Sequence, residues 1–280
     1  MKVTCVLAAV QIIAESLPVS SSGVVAVVTK IVKVLGYGGT DLSQNFDFAL
    51  HGFTVVIITW YFWRFIYQEF FARERFSGKR LVKFVIAGGI VDGITALFYY
   101  IKELGIIHKA VLGLPIGFLI TTGALFSLWF KQKREKKFEK LEVFKNTQKF
   151  GLSWHNAVIL GVVQGLTVLA PGVSRFALTF VAGRWLGYKL SHAFALSFII
   201  ALPLMSAGFV QGIYGLYCSG EIGELLSWQS VLSMLIALGI SGWLFAYVGM
   251  MIERNRVYFF GWFTLAMAFL SYYLSYCHSI

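Results

Sequence analysis

The sequence predicts an all-α integral membrane protein with six transmembrane helices and two re-entrant helical hairpins in an inverted-topology repeat. Of its 280 residues, 58% are hydrophobic and 13% are charged, and the mean hydropathy is +0.75. Soluble domains are usually about one-quarter charged, so the composition excludes a soluble enzyme and a nucleic-acid-binding module. Apolar blocks run from end to end, which predicts a single polytopic domain over residues 1–280.

Six apolar stretches are long enough to span a membrane, because a helix needs roughly 20 apolar residues to cross a hydrocarbon core of about 30 Å. They are 46–70, 81–101, 110–130, 192–216, 228–250 and 257–277. Two further stretches, 3–34 and 154–190, are interrupted at Pro18 and Pro171, with Ser and Gly nearby. A break inside lipid survives only where protein or a wet cavity satisfies the backbone. The two breaks therefore mark the candidate site.

The two halves of the chain resemble each other around these breaks. The matching positions are Gln11 and Gln164, Pro18 and Pro171, and Ser21 and Ser174. We divide the chain into repeat one (1–130), a basic connector (131–152) and repeat two (153–280). Each repeat contains one broken hairpin followed by three spanning helices, so the second repeat starts from the opposite side of the membrane and the repeats are inverted.

The basic residues test this topology. Segments 71–83, 131–152, 184–190 and 251–256, which the topology places inside, hold 17 of the 24 Lys and Arg residues. Loop 217–227 has two acidic residues and neither Lys nor Arg, as the positive-inside rule expects of an outside loop. Orientation therefore accounts for most of the net charge of +11, and both termini are predicted outside the plasma (inner) membrane.

Ionisable residues inside apolar segments are candidates for function, because burying them in a membrane is expensive. Those that stand out are Glu15, Arg64, Asp92 and Arg175. Arg64 is interpreted as an interfacial anchor, and Asp92 as a buried hydrogen-bonded carboxylate rather than a direct participant. Tight packing could explain the Ser and Gly residues at the breaks, but it does not explain Arg175 in the middle of the block 154–190.

The residues around the two breaks suit a phosphate. Gln11 and Glu15 are four apart and share one face of a helix. Free N–H groups at the start of the next helix attract anions, and a guanidinium can bind phosphate through two parallel hydrogen bonds. The candidate diphosphate-binding residues at the breaks are Ser20, Ser21, Ser22, Gly23, Gly172, Ser174 and Arg175.

At these residues the sequence resembles the undecaprenyl-diphosphate phosphatases, also called bacitracin-resistance proteins. That family has an E/Q-x-x-x-E motif running into L-P-V-S-S-T-G-H, and a second motif P-G-x-S-R-S-G. The corresponding segments here are Gln11-Ile12-Ile13-Ala14-Glu15-Ser16-Leu17-Pro18-Val19-Ser20-Ser21-Ser22-Gly23-Val24 and Pro171-Gly172-Val173-Ser174-Arg175-Phe176-Ala177. The order of elements matches over nearly the full chain.

The resemblance implies a membrane enzyme that hydrolyses undecaprenyl diphosphate to undecaprenyl phosphate, recycling the lipid carrier of cell-wall synthesis and conferring bacitracin resistance. It implies Glu15, Ser21 and Arg175 as catalytic residues, and a dependence on Mg²⁺ or Ca²⁺. Glu15 and Gln11 are then the expected metal-binding residues. The expected partners are a polyprenyl diphosphate lipid and the bilayer, without nucleic acid; the oligomeric state stays open, a homodimer included.

The sequence departs from the family pattern at two places. Val24 stands where the family has His, which removes a group able to move a proton; His51 is a candidate substitute base, with a packing histidine as the alternative. Phe176 and Ala177 replace Ser and Gly after the second motif's Arg, which is expected to narrow the approach of a phosphate.

Two other functions fit the same scaffold. Inverted repeats with broken helices also occur in secondary transporters, so a flippase of prenyl phosphate, or a binding protein with impaired catalysis, is the main alternative. A purely structural membrane protein is the second. The enzyme is distinguished by phosphate release, and a flippase by movement of the lipid between leaflets without that release.

Overall fold

The computed structural model describes residues 3–37, 42–71, 78–105, 113–139 and 151–277. These residues form helices and no strands. The helices are α1 (Val3–Glu15), α2 (Ser21–Val34), α3 (Gln44–Ile66), α4 (Gly78–Glu103), α5 (Leu114–Glu139), α6 (Trp154–Leu169), α7 (Arg175–Trp185), α8 (Leu190–Ile199), α9 (Leu202–Ser219), α10 (Ile222–Leu225), α11 (Trp228–Glu253) and α12 (Phe260–Cys277). A π-helical turn, Tyr67–Phe71, extends α3, and a 3-10 turn, Val257–Phe259, precedes α12.

Within the described ranges, six helical segments are long and apolar enough to cross a membrane, as predicted. They are Gln44–Phe71, Leu81–Glu103, Leu114–Arg134, Leu190–Ser219, Trp228–Glu253 and Val257–Tyr276. The four helices of the two interrupted stretches are shorter. The longest of them, α6, has 16 residues and a length of about 24 Å, less than the roughly 30 Å of a hydrocarbon core.

The segment predicted as one helix over 192–216 is divided into α8 and α9. Pro203 lies in the first turn of α9. Proline has no backbone N–H, and its ring clashes with the carbonyl four residues earlier, here that of Ile199. The unbroken helix is therefore wrong at this point, although the apolar segment as a whole has the predicted length.

The predicted basic connector begins as a helix. Helix α5 continues to Glu139, so residues 131–139 belong to it. The remainder of the connector as far as residue 150 lies outside the described residues.

The short helices pack against one long helix from the other half of the chain. Helix α1 packs on α11, and α6 packs on α4. Glycines permit the second contact, since a Cβ on Gly161 would lie 2.9 Å from Cδ1 of Ile94. Helix α3 packs on α9, and α5 on α12. Most of both breaks is buried within the helices: Pro18, Val19 and Ser20 in the first, and residues 172–174 in the second.

Candidate active site

The first hairpin is α1, the break at 16–20 and α2. Ser20 caps α2, because its hydroxyl accepts a hydrogen bond from the backbone N–H of Gly23 at 3.2 Å. A helix has unsatisfied N–H groups in its first turn, and those of α2 begin at Ser21 and Ser22. The first hairpin therefore directs a helix N-terminus into the break, which is a general anion-binding arrangement.

Glu15 is the centre of a buried polar cluster. Its exposed fraction is 2%, and its carboxylate is held by three side chains. Nε2 of Gln11 donates to Oε1 at 3.0 Å, and Nδ1 of His51 lies 2.7 Å from the same oxygen. The hydroxyl of Thr54 donates to Oε2. A buried carboxylate needs such partners, and here they fix its position.

Ser21 lies beside this cluster and contacts Gln11 rather than Glu15. Nε2 of Gln11 is 3.5 Å from the Ser21 hydroxyl, so one amide group contacts both the carboxylate and the serine. Ser21 is half-buried and Ser22 is exposed. Gln11 therefore connects the predicted nucleophile to the predicted acidic residue.

The second hairpin is α6, the break at 170–174 and α7. Ser174 caps α7 by accepting from the N–H of Ala177 at 3.2 Å. Thr121 of α5 holds the break from the other side: its hydroxyl accepts from the Ser174 N–H at 2.9 Å. Gly172 has a φ of +86°, a conformation that side chains other than glycine rarely adopt. The break is thus a fixed turn with a helix N-terminus at Arg175.

The two breaks meet. A Cβ on Gly23 would lie 2.9 Å from Cα of Gly172, so the first turn of α2 contacts the turn of the second hairpin directly. Arg175, the first residue of α7, follows directly on this turn. Its Nε atom is buried without a hydrogen-bond partner, which leaves a donor available to a ligand.

The caps correct one detail of the predicted repeat. Ser21 and Ser174 are each three residues after the proline, but Ser20 and Ser174 are the equivalent N-caps. Ser21 therefore occupies the first helical position of α2, as Arg175 does in α7. The difference arises because the helix after Pro18 starts one residue sooner than the helix after Pro171.

The departures from the family motifs have clear places in the structure. Val24 lies in an apolar cluster with Val27 and Phe118. The ring of Phe176 is directed into the helix core, where it stacks on Phe198 with a centroid distance of 4.1 Å. The guanidinium carbon of Arg175 lies 5.3 Å from the centroid of the same ring, so Phe176 packs in the helix core next to the arginine of the break.

Asp92 is a hydrogen-bonded carboxylate, as predicted, because Nε2 of Gln164 donates to its Oδ1 at 3.4 Å. Its Oδ2 atom is buried without a partner. Gln164 is the counterpart of Gln11 in the second half, so the two predicted glutamines each donate to one carboxylate.

Sequence reasoning missed Asp47, Thr54 and Thr121. Helix α3 carries three polar residues at spacings of four and three, Asp47, His51 and Thr54, which lie on one face. This polar stripe in an otherwise apolar helix is the signal that indicates Asp47 and Thr54. Thr121 carries no comparable signal, because it is followed by another threonine in an apolar stretch and its role depends on a contact with the second hairpin.

The residues around Glu15 suit an oxygen-binding cation only in part. The Oε1 atom of Gln11 is buried and has no hydrogen-bond partner, and amide and carboxylate oxygens are ligands that Mg²⁺ and Ca²⁺ prefer. Across the described ranges, no group of three or more His, Cys, Asp or Glu side chains is placed to hold a metal ion. Gln11 and Glu15 therefore fit a cation whose other ligands come from water or a phosphate.

Comparison with known proteins places the chain in a family. The family model described as Bacitracin resistance protein BacA matches residues 4–270. The chain belongs to this family. The BacA match covers five of the six long apolar segments completely and the sixth, Val257–Tyr276, as far as residue 270, so the resemblance inferred from the two motifs is confirmed.

Individual relatives of this BacA chain are similar at modest identity. An undecaprenyl-diphosphatase of Methanosphaera stadtmanae is 29% identical, with coverage of 90% of this chain and 88% of the relative. Undecaprenyl-diphosphatase 2 of Stutzerimonas stutzeri is 32% identical over 71% of both chains. An undecaprenyl-diphosphatase of Geotalea daltonii is 27% identical over 95% of both.

Proposed function

We propose that this protein hydrolyses undecaprenyl diphosphate to undecaprenyl phosphate and inorganic phosphate. The reaction recycles the lipid carrier of peptidoglycan synthesis and confers resistance to bacitracin. Membership of the BacA family and the names of its relatives support the proposal. The observation that carries it is the contact of Gly23 with Gly172, which brings the start of α2, beside the Gln11–Glu15 cluster, against the turn that precedes Arg175 and α7.

The diphosphate binds where the breaks meet. Arg175 and the N–H groups at the start of α2 and α7 offer donors to its oxygens, while the prenyl chain stays in lipid. Hydrogen-bond donors that are already in position stabilise the charge of the transition state more strongly in a site that excludes water than they would in solution. The unpartnered Nε of Arg175 is one such donor.

The hydroxyl of Ser21, or a water molecule beside it, attacks the terminal phosphorus. The bond between that phosphorus and the bridging oxygen breaks, so undecaprenyl phosphate leaves with the bridging oxygen. If Ser21 attacks, water then releases the phosphate from it. Glu15 accepts the proton of the attacking group or, where it holds a cation instead, leaves that role to His51. His51 lies 2.7 Å from the Glu15 carboxylate and stands in for the histidine that Val24 replaces.

We also propose that Glu15 and the Oε1 atom of Gln11 hold Mg²⁺ or Ca²⁺ together with the substrate phosphates. When bound, the cation offsets negative charge on the transferring phosphoryl oxygens. Mg²⁺ is usually held by one or two carboxylates plus phosphate oxygens rather than by a complete protein cage, which agrees with the small number of ligands near Glu15.

The membrane topology is part of the proposal. We infer that the two interrupted stretches are re-entrant hairpins and that residues 1–130 and 153–280 form an inverted repeat within one polytopic domain. The pairing of α1 with α11 and of α6 with α4 supports it, because exchanging the halves interchanges these pairs. Both termini then face the outside of the plasma (inner) membrane.

Cys218 allows a direct test of this orientation. It is an exposed free cysteine near the end of α9, on the side predicted to be outside, whereas Cys5 is buried. In a Cys277→Ser background, a membrane-impermeant maleimide should label Cys218 in spheroplasts. Introducing His155→Cys into Cys218→Ser, Cys277→Ser should give labelling only after lysis. The reverse pattern contradicts the proposed orientation.

The enzymatic proposal is tested by phosphate release from undecaprenyl diphosphate with purified protein. Glu15→Ala and Arg175→Ala should each lower the rate by about 10²-fold or more. Glu253→Ala and Arg254→Ala, at the exposed end of α11, are the matched controls and should retain the wild-type rate. If wild type and all four variants release phosphate equally slowly, the protein is not this enzyme.

A further inference from the structure

A groove of about 480 Å³ leads away from the candidate active site along α2. The lining residues that bear on its chemistry are Gln11, Ser22, Thr29, Lys30, Lys33 and Asp47. Gln11 belongs to the cluster around Glu15, and Lys33 lies in the last turn of α2. Because a helix rises 1.5 Å per residue, the distance along α2 from Ser22 to Lys33 is about 16 Å.

One face of α2 forms a wall of this groove. Ser22, Ala26, Thr29 and Lys33 are spaced by four, three and four residues, which places them in line along the helix. The opposite wall is the start of α3, through Gln44 and Asp47. The groove therefore joins the active site to the end of α2 that carries the lysines.

The chemistry changes along the groove. Its inner end has the amide of Gln11 and the hydroxyl of Ser22, and its outer end has two cations. Lys30 is half-buried and donates to the Ser275 hydroxyl of α12 at 2.9 Å, while Lys33 is exposed. Among the lining residues that the structure describes, Asp47 is the one carboxylate, and it lies at the start of α3, so the two lysines bring positive charge to the outer end.

We propose that Lys30 and Lys33 form a second phosphate-binding position at the outer end of the groove, and that the groove is the polar route between this position and the active site. A lysine ammonium binds phosphate as a point charge with three donors. The ligand is a phosphate oxyanion, either the diphosphate on its way in or the inorganic phosphate on its way out. This inference rests on the proposed phosphatase function of the inner site.

A structural role for the lysines makes a different prediction. A cation in the last turn of a helix interacts favourably with the helix dipole, and Lys30 also connects α2 to α12. Those roles predict that neutral variants lower the melting temperature but bind phosphate as the wild type does. Phosphate binding therefore separates the two explanations.

The experiment measures equilibrium binding of radiolabelled inorganic phosphate to the purified full chain in detergent. Lys30→Gln and Lys33→Gln should each weaken binding about threefold to tenfold, with a smaller difference at high salt. Lys30→Arg keeps the positive charge and should retain most of the phosphate affinity of the wild type. Lys102→Gln, an exposed lysine in the last turn of α4, removes the same charge away from the groove and should bind as the wild type does.

The inference is overturned if Lys30→Gln and Lys33→Gln bind phosphate as tightly as Lys102→Gln. Binding needs no turnover, so this result is independent of whether the protein proves to be a phosphatase. With an active enzyme, kinetics identify the source of the phosphate. A raised KM for undecaprenyl diphosphate at unchanged kcat assigns the position to the incoming lipid, and weaker inhibition by inorganic phosphate assigns it to the product.

Discussion

Nδ1 of His51 lies 2.7 Å from Oε1 of Glu15, joining α3 to the first hairpin. Thr54, one turn further along α3, donates to the other oxygen of the same carboxylate. The central acidic residue is therefore positioned by a neighbouring helix as well as by Gln11 of its own helix. Nδ1 of His51 is thus within reach of the central carboxylate, as a substitute base would have to be, and the ring also stacks on Phe48.

His51→Ala is expected to lower kcat for phosphate release by about 10²-fold, because general acid–base groups typically contribute 10² to 10⁴ in rate. His155→Ala, an exposed histidine at the start of α6, is the control and should leave kcat unchanged. Equal rates for the two variants would show that His51 takes no part in the reaction.

Val24→His is expected to bring no gain in rate, although it restores the family residue. Val24 lies among apolar side chains, so an imidazole there should lower the free energy of unfolding by about 1–3 kcal/mol. Thermal unfolding in detergent and phosphate release measure the two effects. Val34→His, at an exposed position of α2, is the control. A faster reaction with Val24→His alone contradicts the assignment of His51 as the substitute.

Thr54→Val removes one donor to the buried carboxylate while keeping the shape of the side chain. Leaving a buried charged acceptor short of a partner should lower the free energy of unfolding by about 1–3 kcal/mol, and phosphate release should fall with it. Thr59→Val, on an exposed face of the same helix, should change neither. Chemical denaturation in detergent provides the comparison, and equal stability of the two variants would contradict the importance of this hydrogen bond.

Gly117→Ala tests the packing of α5 on the second break. A Cβ on Gly117 would collide with the carbonyl oxygen of Pro171, so the backbone must move, at a cost of about 1–3 kcal/mol or more. Gly123→Ala, on the same helix, meets nothing within 4 Å and should be neutral or stabilising by up to about 1 kcal/mol. The melting temperatures of the two variants in detergent test this prediction. If Gly117→Ala is as stable as Gly123→Ala, Gly117 does not pack closely against Pro171.

Most of the fold follows from local patterns. The lengths of the apolar blocks predict the six spanning segments, and the prolines at 18 and 171 predict the breaks, because each interrupts a block that would otherwise span. Pro203 does not predict a break in the same way, because the apolar segment around it is long enough to cross a membrane.

For the candidate site, the sequence predicts which residues share a face of one helix but not which residues of different helices are in contact. The four-residue spacing of Gln11 and Glu15 predicts one helix face, in agreement with their hydrogen bond. The contact of His51 with Glu15 and that of Thr121 with Ser174 join distant parts of the chain. Spacing within a helix contains no information about such contacts, so the partners of the carboxylate and of the second break required the structure.

The contact between Gly23 and Gly172 also has a consequence for biosynthesis. The ribosome makes the first hairpin long before the second, so Gln11 and Glu15 enter the membrane while the turn that will cover Gly23 does not yet exist. The polar centre is completed only after the second hairpin is inserted. The newly made first half must therefore hold a carboxylate within the bilayer without Arg175, and assembly of the active site is a late event in the maturation of the protein.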